Sequence, residues 1–360
     1  MKTEENSGRL LYIENIKVLL SLCVLLFHVN SAFGGTGGWY LVEASSDSIS
    51  IVLLTLINAI LQSFFMGLYF FLSAYFIPKS FMKMGTIIFI KTRLQKLLVP
   101  STFYFFVLNP LCKNIVEKVP YLKAIGFYNL WFPMALLYFT FLYLMVGFFN
   151  VKIPKLNFPT NKNINFFMVF FVVICFIVRL KFKIDKMYFS DFTIGYFPQY
   201  LFLFCLGILA SQNNWLEMIH QKIANVYFKG SLIAIVLLPI IFLFQESLGR
   251  PESYFYGGWH PEALFFILWE VVMFTGIILK ILTFFQEKFN DTNKVLSLLS
   301  RLSYSVYIIQ APFILIMQKI FGKFDFPVFV NVFLIFVFSY LCSVAVSYLM
   351  LKIKYLRKFV

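Results

Sequence analysis

Long apolar runs, each close to the thickness of a membrane, dominate this sequence. About twenty apolar residues in a helix cross the roughly 30 Å hydrocarbon core of a bilayer. Ten such windows lie near residues 11 to 29, 52 to 77, 88 to 109, 130 to 150, 164 to 181, 196 to 211, 228 to 245, 262 to 284, 302 to 321 and 328 to 352. The third window contains Arg93, Lys96 and Pro100, and the sixth is short. The sequence predicts an all-α fold, a polytopic membrane helical bundle of about ten transmembrane helices.

The composition of the 360-residue chain fits a protein whose main solvent is lipid. Hydrophobic residues make up 61% of it and charged residues only 13%, which argues against a disordered chain, a coiled coil or an ordinary water-soluble enzyme. A membrane β-barrel would alternate polar and apolar residues, and the run 166–178 shows no alternation. We expect a single membrane domain over residues 1–360, with no appended soluble domain.

The basic residues predict the orientation of the bundle. The net charge is +15, but lysines and arginines occur singly or in small groups between the apolar runs, so a nucleic-acid partner is not indicated. With the amino terminus inside, the inner segments hold 20 basic residues and the outer segments hold 10. Because basic residues concentrate on the cytoplasmic side of membrane proteins, both termini are predicted to be cytoplasmic. The first run lacks a small-residue cleavage site, and we expect it to be retained as a helix.

Motifs typical of metal-dependent and nucleotide-dependent enzymes are missing from the sequence. The five cysteines have no paired spacing, so neither a disulfide framework nor a zinc site is predicted, and no metal is expected. The chain has no phosphate-binding Walker loop, no His-Glu-x-x-His and no Gly-x-Ser-x-Gly.

The first helix carries polar and ionisable residues on one face. Glu14, Lys17, Ser21 and His28 are separated by 3, 4 and 7 residues, so at about 100° per residue they fall on the same side. The 11-residue step from Lys17 to His28 rises about 16 Å. Ionisable groups in a membrane are costly and usually functional. The stripe suits a long anionic donor with its charged end at Lys17 and its reactive end at His28, since imidazole accepts and returns protons near neutral pH.

A simpler interpretation of these residues remains open. Lys17 would extend to the lipid headgroups, Glu14 would pair with it, and His28 would cap the end of the helix.

The stretch from Arg9 to His28, RLLYIENIKVLLSLCVLLFH, resembles the first helix of the acyltransferase 3 family, integral-membrane enzymes that acylate sugars from acyl-CoA. In that family a basic residue is followed, after ten positions, by the catalytic histidine. Lys17 and His28 occupy those places, with Glu14 where an acidic residue is usual. Lysine keeps the charge of the more usual arginine but loses its planar fork for phosphate. The resemblance implies a catalytic His28 and a donor-binding Lys17.

Further stretches are similar to the family in the same order, up to about Ile320. They are the aromatic run 66–76, the basic pair Arg93 and Lys96 before a proline, and the segments 129–132 and 195–200. Arg93 and Lys96 share a helical face and are candidates to hold the phosphates of coenzyme A; the alternative is that they only anchor the helix at the cytoplasmic surface. We interpret the last two segments as architecture.

Two residues of the eighth span are further candidates. Glu270 lies about eight residues into an apolar run without an adjacent cation, and such a carboxylate needs a partner or a role. We predict that it is catalytic, orienting a histidine or the acceptor hydroxyl. His260, which precedes this span, is a second candidate for the base, although a loop histidine is more often simply solvated.

The ninth span opens with residues 301–312, RLSYSVYIIQAP, which are closely similar to a family signature that commonly has histidine where Gln310 stands. Glutamine forms hydrogen bonds but carries no proton between reactants. Either the histidine of that signature is not the chemical one, which we favour, or this chain is a divergent or inactive member.

The resemblance implies a multi-pass enzyme of a bacterial-type inner or cell membrane. It would move an acyl group, acetyl or another short acyl, from cytoplasmic acyl-CoA as co-substrate to a hydroxyl of an extracytoplasmic glycan or lipid-linked sugar. Its partners would be acyl-CoA, this carbohydrate acceptor and membrane lipid; the oligomeric state is left open. The alternatives are a transporter or flippase of a sugar intermediate, and a non-catalytic subunit of a polysaccharide assembly system.

Overall fold

The protein is helical throughout the part of the chain that the structure describes. The structure is a computed structural model covering residues 10–45, 47–148, 155–188, 191–291 and 293–358. Helices make up 80% of it, and these residues form no β-strand. The α-helices are α1 (Leu11–Ala32), α2 (Ser48–Tyr75), α3 (Ile77–Met84), α4 (Thr86–Arg93), α5 (Val99–Phe103), α6 (Asn109–Val116), α7 (Tyr121–Ala124), α8 (Trp131–Phe148), α9 (Asn161–Lys181), α10 (Phe197–Asn213), α11 (Trp215–Met218), α12 (Gln221–Ser247), α13 (Pro261–Lys288), α14 (Lys294–Phe321) and α15 (Val328–Lys352).

Nine helical segments in these ranges are long and apolar enough to cross a membrane. They coincide with nine of the ten windows read from the sequence, with α2 and α3 together forming the second. The predicted all-α, multi-pass membrane bundle is confirmed.

The third predicted span is helical but irregular. Residues 86–116 form one helical run in which two π-helical segments, Leu94–Leu98 and Tyr104–Leu108, separate α4, α5 and α6. Each π segment ends two residues before a proline, Pro100 or Pro110. Proline has no amide hydrogen and its ring clashes with the carbonyl four residues earlier, so the local widening accommodates it. The third window of the sequence, which contains Arg93, Lys96 and Pro100, is therefore a helix whose regular hydrogen bonding is altered by prolines.

Tyrosine hydroxyls satisfy carbonyls that prolines leave without a helical partner. A proline at position i cannot donate to the carbonyl of residue i−4, and buried carbonyls need a donor. Three such carbonyls, four residues before the prolines at 100, 110 and 133, each accept a tyrosine hydroxyl at 2.9 Å: Lys96 from Tyr304, Phe106 from Tyr121 and Asn129 from Tyr307. Two of the three tyrosines belong to α14, so α14 is attached to both the 86–116 run and the start of α8.

Helix α1 lies in the middle of the bundle and runs parallel to α14. It packs against α2, α13, α14 and α15, and most of its residues are buried. At its start, the side-chain amide of Asn15 donates to the carbonyls of Phe289 and Asp291, just before α14 begins. Beyond its end, Trp39 donates its indole N–H to Gln318 near the end of α14. A residue on α1 and its neighbour on α14 therefore lie at similar depth.

Glycines allow α2 and α10 to approach closely, as small residues commonly do between membrane helices. A Cβ on Gly207 would lie 2.3 Å from the carbonyl oxygen of Phe71, and one on Gly67 would lie 2.4 Å from Leu203. Gly67 opens the aromatic run noted in the sequence, so this run is a packing surface.

Candidate active site

The predicted stripe lies on one continuous buried helix. Because α1 is unbroken from Leu11 to Ala32, Lys17 and His28 keep their spacing of about 16 Å along its axis. We call the two ends of the bundle the Lys17 end and the His28 end. Between them, Ser21 is buried and donates its hydroxyl to the carbonyl of Val18 at 2.8 Å. Ser21 is thus occupied within its own helix.

His28 is buried and held by aromatic rings. Its side chain is 9% exposed, and its ring stacks on Trp39 with centroids 5.1 Å apart and planes 30° apart. Phe27 meets it edge-on at 5.7 Å. The Nδ1 atom has no hydrogen-bond partner among the described residues. Helix α1 continues four residues beyond His28, so the ring does not occupy a cap position. This histidine has a ring nitrogen available for chemistry in a water-poor site.

Trp39 is itself fixed by hydrogen bonds. Its Nε1–H donates to Oε1 of Gln318 at 3.3 Å, and Nε2 of Gln318 donates to the carbonyl of Leu41 at 3.0 Å. Both side chains are buried. No local pattern indicates this pair, since Trp39 stands in a glycine-rich loop and Gln318 is 279 residues away. Together they set the orientation of the His28 ring.

The loop that carries Trp39 is tied to the helices by an asparagine. The buried Asn58 of α2 donates to the carbonyls of Phe27 at 3.1 Å and Thr36 at 2.8 Å. Asn30 donates to Oδ1 of Asn58 at 3.0 Å. The loop between α1 and α2 therefore covers the His28 end in a fixed position.

A second polar cluster adjoins this loop at Tyr40. The hydroxyl of Tyr40 donates to Oδ1 of Asn109 and lies 2.8 Å from the hydroxyl of Tyr104. The ring of Tyr128 lies 4.5 Å from that of Tyr40, and its backbone amide donates to Asp191 at 2.9 Å. Burial, followed by the nearby Tyr104, holds the pKa of Tyr40 well above its usual value. Tyr40 therefore stays protonated as a donor at physiological pH.

Lys17 lies where α2 ends. Its ammonium nitrogen is 5.2 Å from the centroid of the Phe76 ring, and its backbone carbonyl faces the hydroxyl of Tyr69 at 3.5 Å. Lys17 is half-buried, as is Glu14 one turn earlier. A cation over an aromatic face is attracted by the ring quadrupole. Lys17 therefore sits at a junction of α1 and α2.

The two other predicted basic residues lie toward the same end. The guanidinium of Arg93 lies 5.0 Å from the centroid of the Phe89 ring. Phe89 packs on Phe81 of α3, the helix that begins directly after Phe76. The side chain of Lys96 is exposed, and its backbone carbonyl accepts Tyr304. Lys17 and Arg93 thus lie near the region where α2 passes into α3, and their role in holding a donor, like that of Lys96, stays a prediction.

Glu270 has a different partner from the predicted histidine. Its Oε2 atom lies 2.6 Å from Nη1 of Arg179, and both side chains are almost fully buried. Arg179 also donates through Nε to the carbonyl of Gly195 at 3.2 Å and covers the ring of Tyr196 at 5.1 Å. The sequence alone does not indicate this pair, because its members are 91 positions apart. Glu270 thus links α13 to α9 through Arg179; its predicted catalytic role stays a prediction, and the chemistry proposed below does not use it.

His260 lies apart from the His28 cluster. Its ring stacks on Tyr254 with centroids 3.9 Å apart and planes nearly parallel, in the segment between α12 and α13. Nearby Glu262 pairs with Arg250 at 2.6 Å. These contacts explain His260 as part of that segment.

Comparison with known families identifies the chain. A family model described as an acyltransferase domain matches residues 10–352, nearly the whole sequence. The chain belongs to the acyltransferase 3 family. Searches against curated proteins and against solved structures gave no match. Together with the nine apolar helices, the family makes this protein a multi-pass membrane acyltransferase.

The arrangement offers two chemically different ends on one central helix. The His28 end supplies a buried imidazole, stacked on Trp39, whose Nδ1 has no partner in the described part of the chain. The Lys17 end supplies three cations and the aromatic faces of Phe76 and Phe89. An acyl-transferring enzyme needs a base for the acceptor and a binding site for an activated donor, and these ends provide groups suited to each.

Proposed function

We propose that this acyltransferase takes a short acyl group, such as acetyl, from cytoplasmic acyl-CoA and places it on a hydroxyl of an extracytoplasmic glycan or lipid-linked sugar. The observation that carries the proposal is the position of His28. It is buried on the same helix as Lys17, about 16 Å from it, and its Nδ1 has no partner within the described ranges. Such a separation suits a donor whose charged and reactive ends are far apart.

In this mechanism His28 is the general base. An unprotonated ring nitrogen takes the proton of the acceptor hydroxyl while the hydroxyl oxygen attacks the thioester carbonyl. The carbon–sulfur bond then breaks, and the thiolate leaves and recovers a proton from the imidazolium. Stacking on Trp39 keeps the ring plane fixed during both proton transfers. Proton transfer of this kind contributes about 10²–10⁴-fold to rate.

The cations of the Lys17 end are proposed to hold the phosphates of the donor. Lys17 and Arg93 lie near the α2–α3 junction, and the positive-inside bias predicts that this end faces the cytoplasm, where coenzyme A is found. Charge-assisted hydrogen bonds to phosphate are about twice as strong as neutral ones. Their loss should weaken donor binding more than it slows the chemistry.

The test is transfer of label from acetyl-labelled coenzyme A in proteoliposomes with a panel of glycan acceptors. His28→Ala should abolish turnover, and Lys17→Ala should mainly raise KM for the donor. Two variants are matched controls: His260→Ala removes a histidine outside the cluster, and Lys79→Ala removes a lysine whose ammonium also lies over an aromatic ring, at 5.6 Å from Tyr75. Both controls should keep wild-type rates.

Thioester turnover that survives His28→Ala would contradict the mechanism. Absence of turnover by the wild-type protein with every donor and acceptor would contradict the proposed substrates. Label appearing on the acceptor only when acyl-CoA is on the Lys17 side would support the proposed polarity.

A further inference from the structure

Two buried amide atoms beside Tyr307 have no hydrogen-bond partner among the described residues. They are Oε1 of Gln310 and Nδ2 of Asn129. Gln310 is 2% exposed. Most buried polar atoms in proteins are paired, and an orphan requires an explanation such as a bound water or ligand. One of these atoms is an acceptor and the other a donor.

The contacts of Tyr307 place Asn129 at its hydroxyl and the Gln310 amide at its backbone carbonyl. Its hydroxyl donates to the backbone carbonyl of Asn129 at 2.9 Å, and its own carbonyl accepts Nε2 of Gln310 at 3.2 Å. That second bond fixes which atom of the Gln310 amide is free, because the opposite assignment would set the side-chain oxygen against a carbonyl oxygen. Gln310 therefore presents an acceptor that no residue in the described part of the protein pairs with.

This position lies between the two ends of the stripe on α1. The ring of Tyr307 is 6.5 Å from that of Tyr69, whose hydroxyl faces the Lys17 carbonyl. Gln310 is nearly one turn farther along α14, toward the His28 end. The bond from Trp39 to Gln318, which marks the depth of His28, lies about two turns beyond Gln310. A donor reaching from Lys17 to His28 would span the depth at which Gln310 lies.

We propose that Gln310 and Asn129 bind the amide groups of the pantetheine arm of the acyl-CoA donor. This inference rests on the proposed function, since it requires that donor. A secondary amide carries one N–H and one carbonyl oxygen, and these complement Oε1 of Gln310 and Nδ2 of Asn129. The surrounding rings of Tyr307, Tyr69 and Phe132, with centroids 5.5–6.5 Å apart, exclude water from the rest of the arm. Gln310 thereby acts in donor selection without carrying a proton.

The experiment compares thioester donors that differ in their amides. S-acetyl-pantetheine has two amides, S-acetyl-N-acetylcysteamine has one, and S-acetyl-mercaptoethanol has none. The quantity measured is kcat/KM for each donor with wild type and with Gln310→Met, which removes the acceptor at similar volume. We expect kcat/KM to fall about tenfold for the amide donors and to be unchanged for the amide-free donor.

Two further variants control for folding. Ser305→Ala removes an equally buried polar group from the same helix, one whose hydroxyl already bonds to Leu302 at 2.9 Å, and it should leave the donor ratios unchanged. Gln310→Glu in its neutral form keeps both an acceptor oxygen and an O–H donor to the Tyr307 carbonyl, so it should retain more of the preference for amide donors than Gln310→Met. An equal fall of kcat/KM for all three donors, or no fall for any of them, would overturn the inference. It would indicate that the side-chain amides of Gln310 and Asn129 bind water instead. Failure of the proposed function would be distinct, because wild type would then not turn over acetyl-CoA at all.

Discussion

His28 is positioned by stacking, and stacking leaves a ring nitrogen available. A histidine with both nitrogens hydrogen-bonded to the protein could not also take a proton from an acceptor, whereas Nδ1 of His28 is without a partner among the described residues. The indole of Trp39 supplies orientation through its face, and Gln318 fixes the indole through its edge. Trp39 is therefore a positioning residue for the proposed base.

Replacing Trp39 should separate these two contributions. Trp39→Ala removes the stacked face, and we expect kcat to fall roughly tenfold to a hundredfold, because a misplaced catalytic group loses rate steeply. Trp39→Phe keeps a ring but loses the bond to Gln318, so its kcat should fall less. Donor KM should stay near the wild-type value in both variants, since Lys17 is at the other end of α1. A change confined to KM would contradict the positioning role.

The Arg179–Glu270 pair predicts a loss of stability with retained chemistry. Glu270→Gln leaves the buried guanidinium without its counter-charge, which typically costs about 3–5 kcal/mol. The free energy of unfolding in detergent or bicelles should fall by this order, while activity per folded molecule stays close to wild type. Glu262→Gln is the matched control, because its partner Arg250 is 39% exposed and such pairs contribute only about 1 kcal/mol or less.

A double variant, Arg179→Met with Glu270→Met, tests the reason for that loss. If an uncompensated charge is the cause, removing both members should recover part of the stability. Loss of turnover in folded Glu270→Gln protein would instead return Glu270 to the chemistry.

At the scale of elements, tyrosine hydroxyls attach α14 to neighbouring helical segments. They donate to backbone carbonyls that have lost their helical partner to a proline. Tyr304 bonds to the carbonyl of Lys96 and Tyr307 to that of Asn129. The tyrosines recur at i and i+3, so both hydroxyls leave α14 on nearly the same face. Two of the polar residues in the run 301–312 are therefore explained by hydrogen bonds that hold the helices of the bundle together.

Removing one hydroxyl should loosen this attachment. Tyr307→Phe leaves a part-buried carbonyl unpaired, and we expect it to lower the free energy of unfolding by about 1–3 kcal/mol. Tyr304→Phe and Tyr121→Phe break the same kind of bond at exposed positions, so their effects should be smaller. Thermal unfolding followed by thiol reactivity of the three buried cysteines, in a chain with Cys205 and Cys342 replaced by alanine, would measure all three variants. Equal effects at the three sites would argue that burial of the carbonyl is unimportant.

For the molecule as a whole, local information predicted the spans and distant contacts determined the site. Hydropathy within twenty residues located nine helices, and Pro100 marked the irregular third span. The 3.6-residue period placed Lys17 and His28 on one helix. Nothing local connects Arg179 with Glu270, or Trp39 with Gln318, because such pairs depend on how helices far apart in sequence meet. The supporting groups of the site were therefore outside the reach of sequence patterns.

The orientation of the molecule decides which substrate meets which end. Basic residues predict that the Lys17 end faces the cytoplasm, where an acyl-CoA donor is available. Thr36 lies exposed in the loop at the His28 end, and Lys222 is exposed at the start of α12, near Glu287 at the end of α13. Cysteines at these positions, in a chain with Cys205 and Cys342 replaced by alanine, would report the two sides, since the other three cysteines are buried.

A membrane-impermeant maleimide should label Thr36→Cys in intact cells and Lys222→Cys only after permeabilisation. Both variants should retain acyltransferase activity, because neither position contacts the proposed donor or base. The reverse labelling would place His28 on the cytoplasmic side. The donor and the acceptor would then each have to enter from the end opposite to the one proposed. The phosphate role of Lys17, Arg93 and Lys96 would then fail, since coenzyme A could not reach them from the cytoplasm.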